Sequence, residues 1–242
     1  MLTYSKNYTV PYYESDANGN MKLSSLFNVA LQVSGEQSHA LGVSDDWVRA
    51  QYQCLWVIVA HDAEIRRLPL ANEQLKIETV ARAYNKFFCY RDFNVYGAKG
   101  EQLLTISTTF VLMDAIRRKV ARIPDELIAP FEADKLNKVI RGHQYQTLKS
   151  ATMLERTYHV RFNDIDLNGH VNNSKYLDWM TDSLGFDFLS QYVPQTIHLK
   201  YTKEVMYGVD VSSKLLVDGS QTYHEIVTTD HHAQAELSWR SK

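Results

Sequence analysis

The amino-acid sequence predicts an α+β fold of two tandem copies of one unit, a long helix lying on a curved antiparallel sheet. Three observations predict it. A turn-prone polar loop occurs twice, as Asp16-Ala17-Asn18-Gly19-Asn20 and, 150 residues later, as Asp166-Leu167-Asn168-Gly169-His170. A helical apolar pattern follows each loop. After each helix the pattern changes to strands, with hairpin signals between the runs.

The first copy opens with a strand, Thr3 to Pro11, before its loop. Leu23, Leu26, Phe27, Ala30, Leu31 and Val33 then form a helical stripe, and Gly42 is placed to end it. Leu55–Ile65 is apolar enough for a buried strand. Leu75, Ile77, Thr79, Ala81 and Ala83 alternate with polar residues. Phe87–Tyr96 and Leu103–Met113 flank the turn signal Gly97-Ala98-Lys99-Gly100.

Ile123 to Leu154 lacks a strand pattern and holds Pro124, Pro130 and several charges. It reads as a linker with one helix. The second copy then repeats the order. Arg156–Phe162 is a strand, and Tyr176, Leu177, Met180, Leu184 and Phe188 share one face of a helix. Strands are predicted near Thr196–Val205, Val209–Asp218, Thr222–Thr229 and Ala233–Arg240, with Asp218-Gly219 as a hairpin turn. The predicted division is an N-terminal domain over 1–125, a linker over 126–154 and a C-terminal domain over 155–242.

Composition bounds the function. The net charge of −2 gives no global reason to expect nucleic acid. The two cysteines, Cys54 and Cys89, cannot make a disulfide framework and read as buried small hydrophobes in a reducing compartment. No run approaches the roughly 20 apolar residues of a membrane span. No targeting segment precedes the first strand pattern, so a cytoplasmic protein is expected. Asp230-His231-His232 with His224 has metal-ligand residue types, but adjacent strand side chains point to opposite faces, so no metal is expected.

The later loop and the residues behind it carry more. Asp166-Leu167-Asn168-Gly169-His170-Val171-Asn172-Asn173, followed by Tyr176-Leu177-Asp178-Trp179-Met180, closely resembles the signature of acyl-acyl-carrier-protein thioesterases. That likeness extends over essentially the whole chain. It implies two fused hot-dog domains, and hydrolysis of a fatty acyl thioester to free acid and carrier, with no cofactor. It implies Asp166, Asn168 and His170 as catalytic-loop residues. The family's fourth residue, a strand glutamate, matches Glu204. In many relatives a cysteine follows that glutamate. Here Val205 does, which leaves a carboxylate and a water to perform the attack.

In this reading Glu204 activates water, alone or with His170, and Asn168 holds the carbonyl or the water. A backbone N–H near Val171–Asn173 serves as oxyanion donor at the helix start. Asp166 keeps His170 or Asn168 in register, and Asn172 and Asn173 cap the helix. The first copy has Asn20 at the histidine's place. Aligning His61 with His198 puts Arg67 opposite Glu204, so that half lacks the chemistry. The resemblance gives it the acyl tunnel, with its helix stripe, Trp56, Phe87 and Phe88 as lining. The expected partner is an acyl carrier protein, received by the basic run Arg117, Arg118, Lys119 and Arg122. The oligomeric state is left open, a homodimer being one option. The competing readings are an acyl-CoA thioesterase of the same fold, a hot-dog dehydratase and a non-catalytic acyl-chain sensor.

Overall fold

Strand β1 (Thr3–Thr9) leads into a single 3-10 turn and the first polar loop of the computed structural model, which describes residues 1–146 and 154–242. Helix α1 (Leu23–Ala40) follows. Its apolar stripe is buried: Leu26, Phe27, Ala30 and Val33 all face the core. Gly42 takes the left-handed conformation (φ 75°) that ends the helix, and the Val43 N–H closes back on Ser38 C=O at 2.9 Å.

A second helix, α2 (Asp45–Tyr52), follows where the sequence reading placed none. Its signal was nonetheless written. Ser44 is its N-cap, accepting from Trp47 N–H at 3.3 Å, and Asp45 and Asp46 fill the first turn. Four strands complete the half: β2 (Cys54–Ile65), β3 (Gln74–Tyr84), β4 (Phe88–Tyr96) and β5 (Gln102–Asp114).

The expected linker is partly built into this half. Helix α3 (Asp125–Ile128) and a 3-10 turn (Ala129–Phe131) bury Leu127, Ile128 and Phe131 against β3–β5 residues. A two-residue strand, β6 (Asp134–Lys135), runs parallel to β3. The part of the expected linker over 147–153 lies outside the described residues.

The later half repeats the plan with β7 (Leu154–His159), α4 (Asn173–Asp182), α5 (Phe186–Gln191), β8 (Tyr192–Tyr201), β9 (Asp210–Asp218), β10 (Gln221–Val227) and β11 (His231–Ser241). The expected single helix is broken by Gly185, whose φ of 82° no helix interior permits. Strand β8 lies four residues earlier than expected. It stops at Tyr201 because the Thr202 and Lys203 N–H groups both turn to the His232 carbonyl.

The eleven strands of the described residues form one sheet, in the order β1-β3-β4-β5-β2-β8-β11-β10-β9-β7, with β6 beside β3. The seam is the antiparallel pair β2–β8, from Ala60↔Lys200 to Glu64↔Thr196. Helices α1 and α4 pack on each other against the sheet. One apolar cluster spans both halves, from Leu26 and Phe93 to Leu177 and Leu237.

Candidate active site

The two polar loops are backbone twins. In each, the first aspartate N–H donates to the carbonyl four residues on (Asp16 to Asn20, 2.7 Å; Asp166 to His170, 2.8 Å). In each, that aspartate's Oδ1 accepts from the backbone N–H two residues on (Asn18 and Asn168, both 2.8 Å). Both glycines are left-handed, Gly19 at 77° and Gly169 at 81°. Asp166 therefore holds Asn168 through the loop backbone.

Beyond the second loop, Asn172 caps α4. Its Oδ1 accepts from Ser174 N–H at 2.9 Å. Asn173 is the first helical residue rather than a cap. The earlier copy has Lys22 at the cap position, without a side-chain cap.

Glu204 lies in the loop after β8, not on a strand. A buried tyrosine, Tyr176, and a half-buried one, Tyr201, position that loop. The Val205 N–H donates to Tyr176 Oη at 3.0 Å, and Val171 N–H donates to Val205 C=O at 3.0 Å. Tyr201 Oη donates to Asn173 C=O at 2.9 Å. Burial pushes both phenols well above their ordinary range. The result brings His170 Nε2 to 3.1 Å from Glu204 Oε2, with side-chain exposures of 19% and 34%. Asp166, Asn168, His170 and Glu204 all line one cavity of about 680 Å³.

Of the expected oxyanion donors, two are already used: Val171 N–H by Val205, and Asn172 N–H by Asp164 C=O at 2.8 Å. Among the described residues the Asn173 N–H at the start of α4 has no acceptor, and Asn173 lines the cavity.

The cavity continues into the N-terminal half. Leu31, Ser34, Gly35 and Ser38 of α1 line it, with Trp56, Phe110 and Phe131. Small residues on α1 leave the space, and a Cβ at Gly35 would meet nothing within 4 Å. Phe87 and Phe88 do not line it; Phe87 is at the surface and Phe88 stacks on Tyr90. Arg91, 6% exposed, is on the same wall, donating to Gln37 Oε1 at 2.5 Å and Thr79 Oγ1 at 3.1 Å. Desolvation pulls its guanidinium down to about 10.

Two residues that the sequence reading missed or misplaced reach the site from the N-terminal half. Arg49 of α2 donates to Asn168 Oδ1 at 3.4 Å. Arg118 donates to Glu204 Oε2, so its guanidinium is engaged at the site although the side chain stays 42% exposed. The counterpart of Glu204 is Leu68, not Arg67. The backbone N–H groups of Arg66 and Arg67 both donate to Leu103 C=O as those of Thr202 and Lys203 donate to His232 C=O, and Met21 N–H donates to Pro69 C=O as Val171 N–H does to Val205 C=O. Aligning the two histidines slipped the register by one residue, which exchanges sheet faces. His61 is 1% exposed, whereas the His198 side chain is 30% exposed and bonded to Asp62.

Two family models together match most of the chain. A model described as the acyl-ACP thioesterase N-terminal domain matches residues 1–131. One described as the acyl-ACP thioesterase C-terminal domain matches residues 147–241. The chain is 22% identical over 260 residues to a chloroplastic acyl-[acyl-carrier-protein] hydrolase of Cuphea viscosissima, covering 100% of this chain and 63% of that protein. It is 24% identical over 259 residues to a chloroplastic oleoyl-acyl carrier protein thioesterase of Coriandrum sativum, covering 99% and 70%. It thus spans just under two thirds of the first of these relatives. A solved Lactobacillus plantarum structure, assigned as an oleoyl thioesterase, is 31% identical with a TM-score of 0.91, covering 99% and 96% of the two chains. The 12:0-ACP thioesterase of Umbellularia californica shares the fold at a TM-score of 0.88 and 21% identity, covering 99% and 98%.

Proposed function

The chain belongs to the acyl-ACP thioesterase family, and from that premise we propose that it hydrolyses fatty acyl thioesters carried on acyl carrier protein. The observation that carries this reading is the His170–Glu204 contact of 3.1 Å at one end of a cavity whose other walls are largely apolar. A fatty acyl chain fits those walls and its thioester would then lie beside the polar group.

The chemistry follows from the side chains. Glu204 orients a water and takes its proton as the oxygen attacks the thioester carbon. His170 shares that carboxylate. The developing oxyanion is held by the Asn173 N–H, aided by the helix start, and by the Asn168 amide. The C–S bond breaks, and the proton passes to the departing thiolate, giving free fatty acid and carrier thiol. Asp166 preserves the loop geometry. In this reading the C-terminal half is catalytic and the N-terminal half binds the acyl chain. The two free, buried cysteines fit a reducing compartment, and the proposed location is the cytoplasm. Among the described residues no helix is long and apolar enough to cross a membrane.

The carrier would dock on the exposed basic side chains Arg117, Lys119 and Arg122, beside the turn that carries Arg118. The test is a hydrolysis panel of C8 to C18 acyl chains on carrier protein and on CoA. Carrier-bound substrates should show the higher kcat/KM. Glu204→Gln should lower kcat by about 10²-fold or more at unchanged Tm. Near-normal turnover in that variant would falsify the assignment. Reversing Arg117 and Lys119 to glutamate should raise KM for carrier-bound substrate alone, and added salt should erase the difference. Arg118 is left out of that variant, because its loss would also disturb Glu204.

A further inference from the structure

We propose that Arg118, supplied by the half that lacks the catalytic residues, is a positioning residue for Glu204. The inference rests on the reading of Glu204 as the group that activates water. Arg118 and His170 approach the same carboxylate oxygen, Oε2. Both contacts fall on Oε2 and neither uses Oε1, which leaves that oxygen able to take a proton from a water. A glutamate in a loop, 34% exposed, would otherwise rotate among several rotamers.

The backbone that presents Arg118 is built for the purpose. It lies in a closed turn after β5. Asp114 N–H donates to Lys119 C=O at 2.9 Å, and Arg118 N–H returns to Asp114 C=O at 3.0 Å. Asp114 Oδ1 accepts from the Ile116 and Arg117 N–H groups at 3.0 and 2.7 Å. Arg118 itself has φ 53°, a left-handed position that glycine would occupy more easily. A long charged side chain in a strained position marks a site where the side chain has a task. Its guanidinium spans 86 residues of sequence to reach Glu204. Arg49, on Asn168, makes a second contact of the same kind from the same half.

The backbone supplies an unusual control. Arg118→Gly removes the guanidinium and relieves the strained φ together. Its Tm should therefore not fall below that of the parent. Its kcat on a small carrier-free thioester, acyl-N-acetylcysteamine, should fall about 10-fold or more, with KM little changed. Arg118→Lys should recover part of the loss. The double variant with Glu204→Gln should be no slower than Glu204→Gln alone, because Arg118 acts through that carboxylate. Near-normal kcat in Arg118→Gly overturns the proposal. So does a lower Tm accompanying the loss, or a double variant in which the two losses multiply. If Glu204→Gln itself turns over normally, the failure belongs to the catalytic reading instead.

Discussion

At the scale of single residues, the site divides into groups whose type announced them and groups whose type did not. His170, Asn168 and Asp166 sit in a short run whose composition is unusual for a plain turn. Glu204, Arg118 and Arg49 are ordinary charged residues in the sequence, and only the fold brings them to the loop. The cysteines show the opposite case. Cys89 touches the cavity, yet burial pushes its thiol up to about 11, and burial also raises the thiol of Cys54. Neither is a thiolate at neutral pH. The variant carrying Cys54→Ala and Cys89→Ala should keep its turnover, and iodoacetamide should leave the parent active in a standard assay. Inactivation that tracks alkylation of either cysteine would restore a thiol mechanism.

At the scale of elements, each half extends a short second helix to the other half's loop. Arg49 of α2 meets Asn168, and Asn18 Nδ2 donates to the α5 carbonyl of Leu189 at 2.9 Å. The first loop is therefore tied to the other half, although Asp16, Ala17 and Asn18 stay exposed. Its backbone is intact, its histidine is Asn20, and Leu68 stands where Glu204 does in the second. His170→Ala should nearly abolish hydrolysis. Adding Asn20→His should not restore it, because the new imidazole would face leucine in place of a carboxylate. Substantial activity in that double variant, measured on a carrier-bound thioester, would show that the halves are interchangeable.

At the scale of the molecule, the continuous sheet buries two histidines as neutral groups. His61 Nδ1 lies 2.8 Å from Thr108 Oγ1, between the rings of Phe27 and Tyr201. His224 Nε2 lies 2.8 Å from Thr222 Oγ1. Desolvation lowers both from 6.5 to about 3. Between those values the unfolded chain binds protons that the native chain refuses, so stability falls as pH drops below 6.5. Each histidine contributes a slope of up to ~1.4 kcal/mol per pH unit in that window. Tm should decline from about pH 6.5 towards pH 5, before carboxylates dominate. The pair His61→Gln and His224→Gln should flatten that decline. Parallel curves for parent and variant would refute the account.

The sequence by itself determined the repeat, the strand–loop–helix–sheet order, the polar cluster at Asp166–His170 and the family. These are local signals: side-chain period, glycine at left-handed turns, and a motif short enough to be contiguous. It did not determine where β8 ends, which residue mirrors Glu204, or that α2 exists as the carrier of Arg49. A strand's end is set by its neighbour's carbonyls, here His232, and register by which face is buried. It also left the tunnel wall undecided, because an apolar residue such as Phe87 reads alike whether it lines a cavity or meets solvent. The convergence of Glu204 with Arg118, and of Asn168 with Arg49, belongs to tertiary structure alone. Contacts 86 and 119 residues apart are made by the packing of one half on the other, and no local pattern encodes that distance.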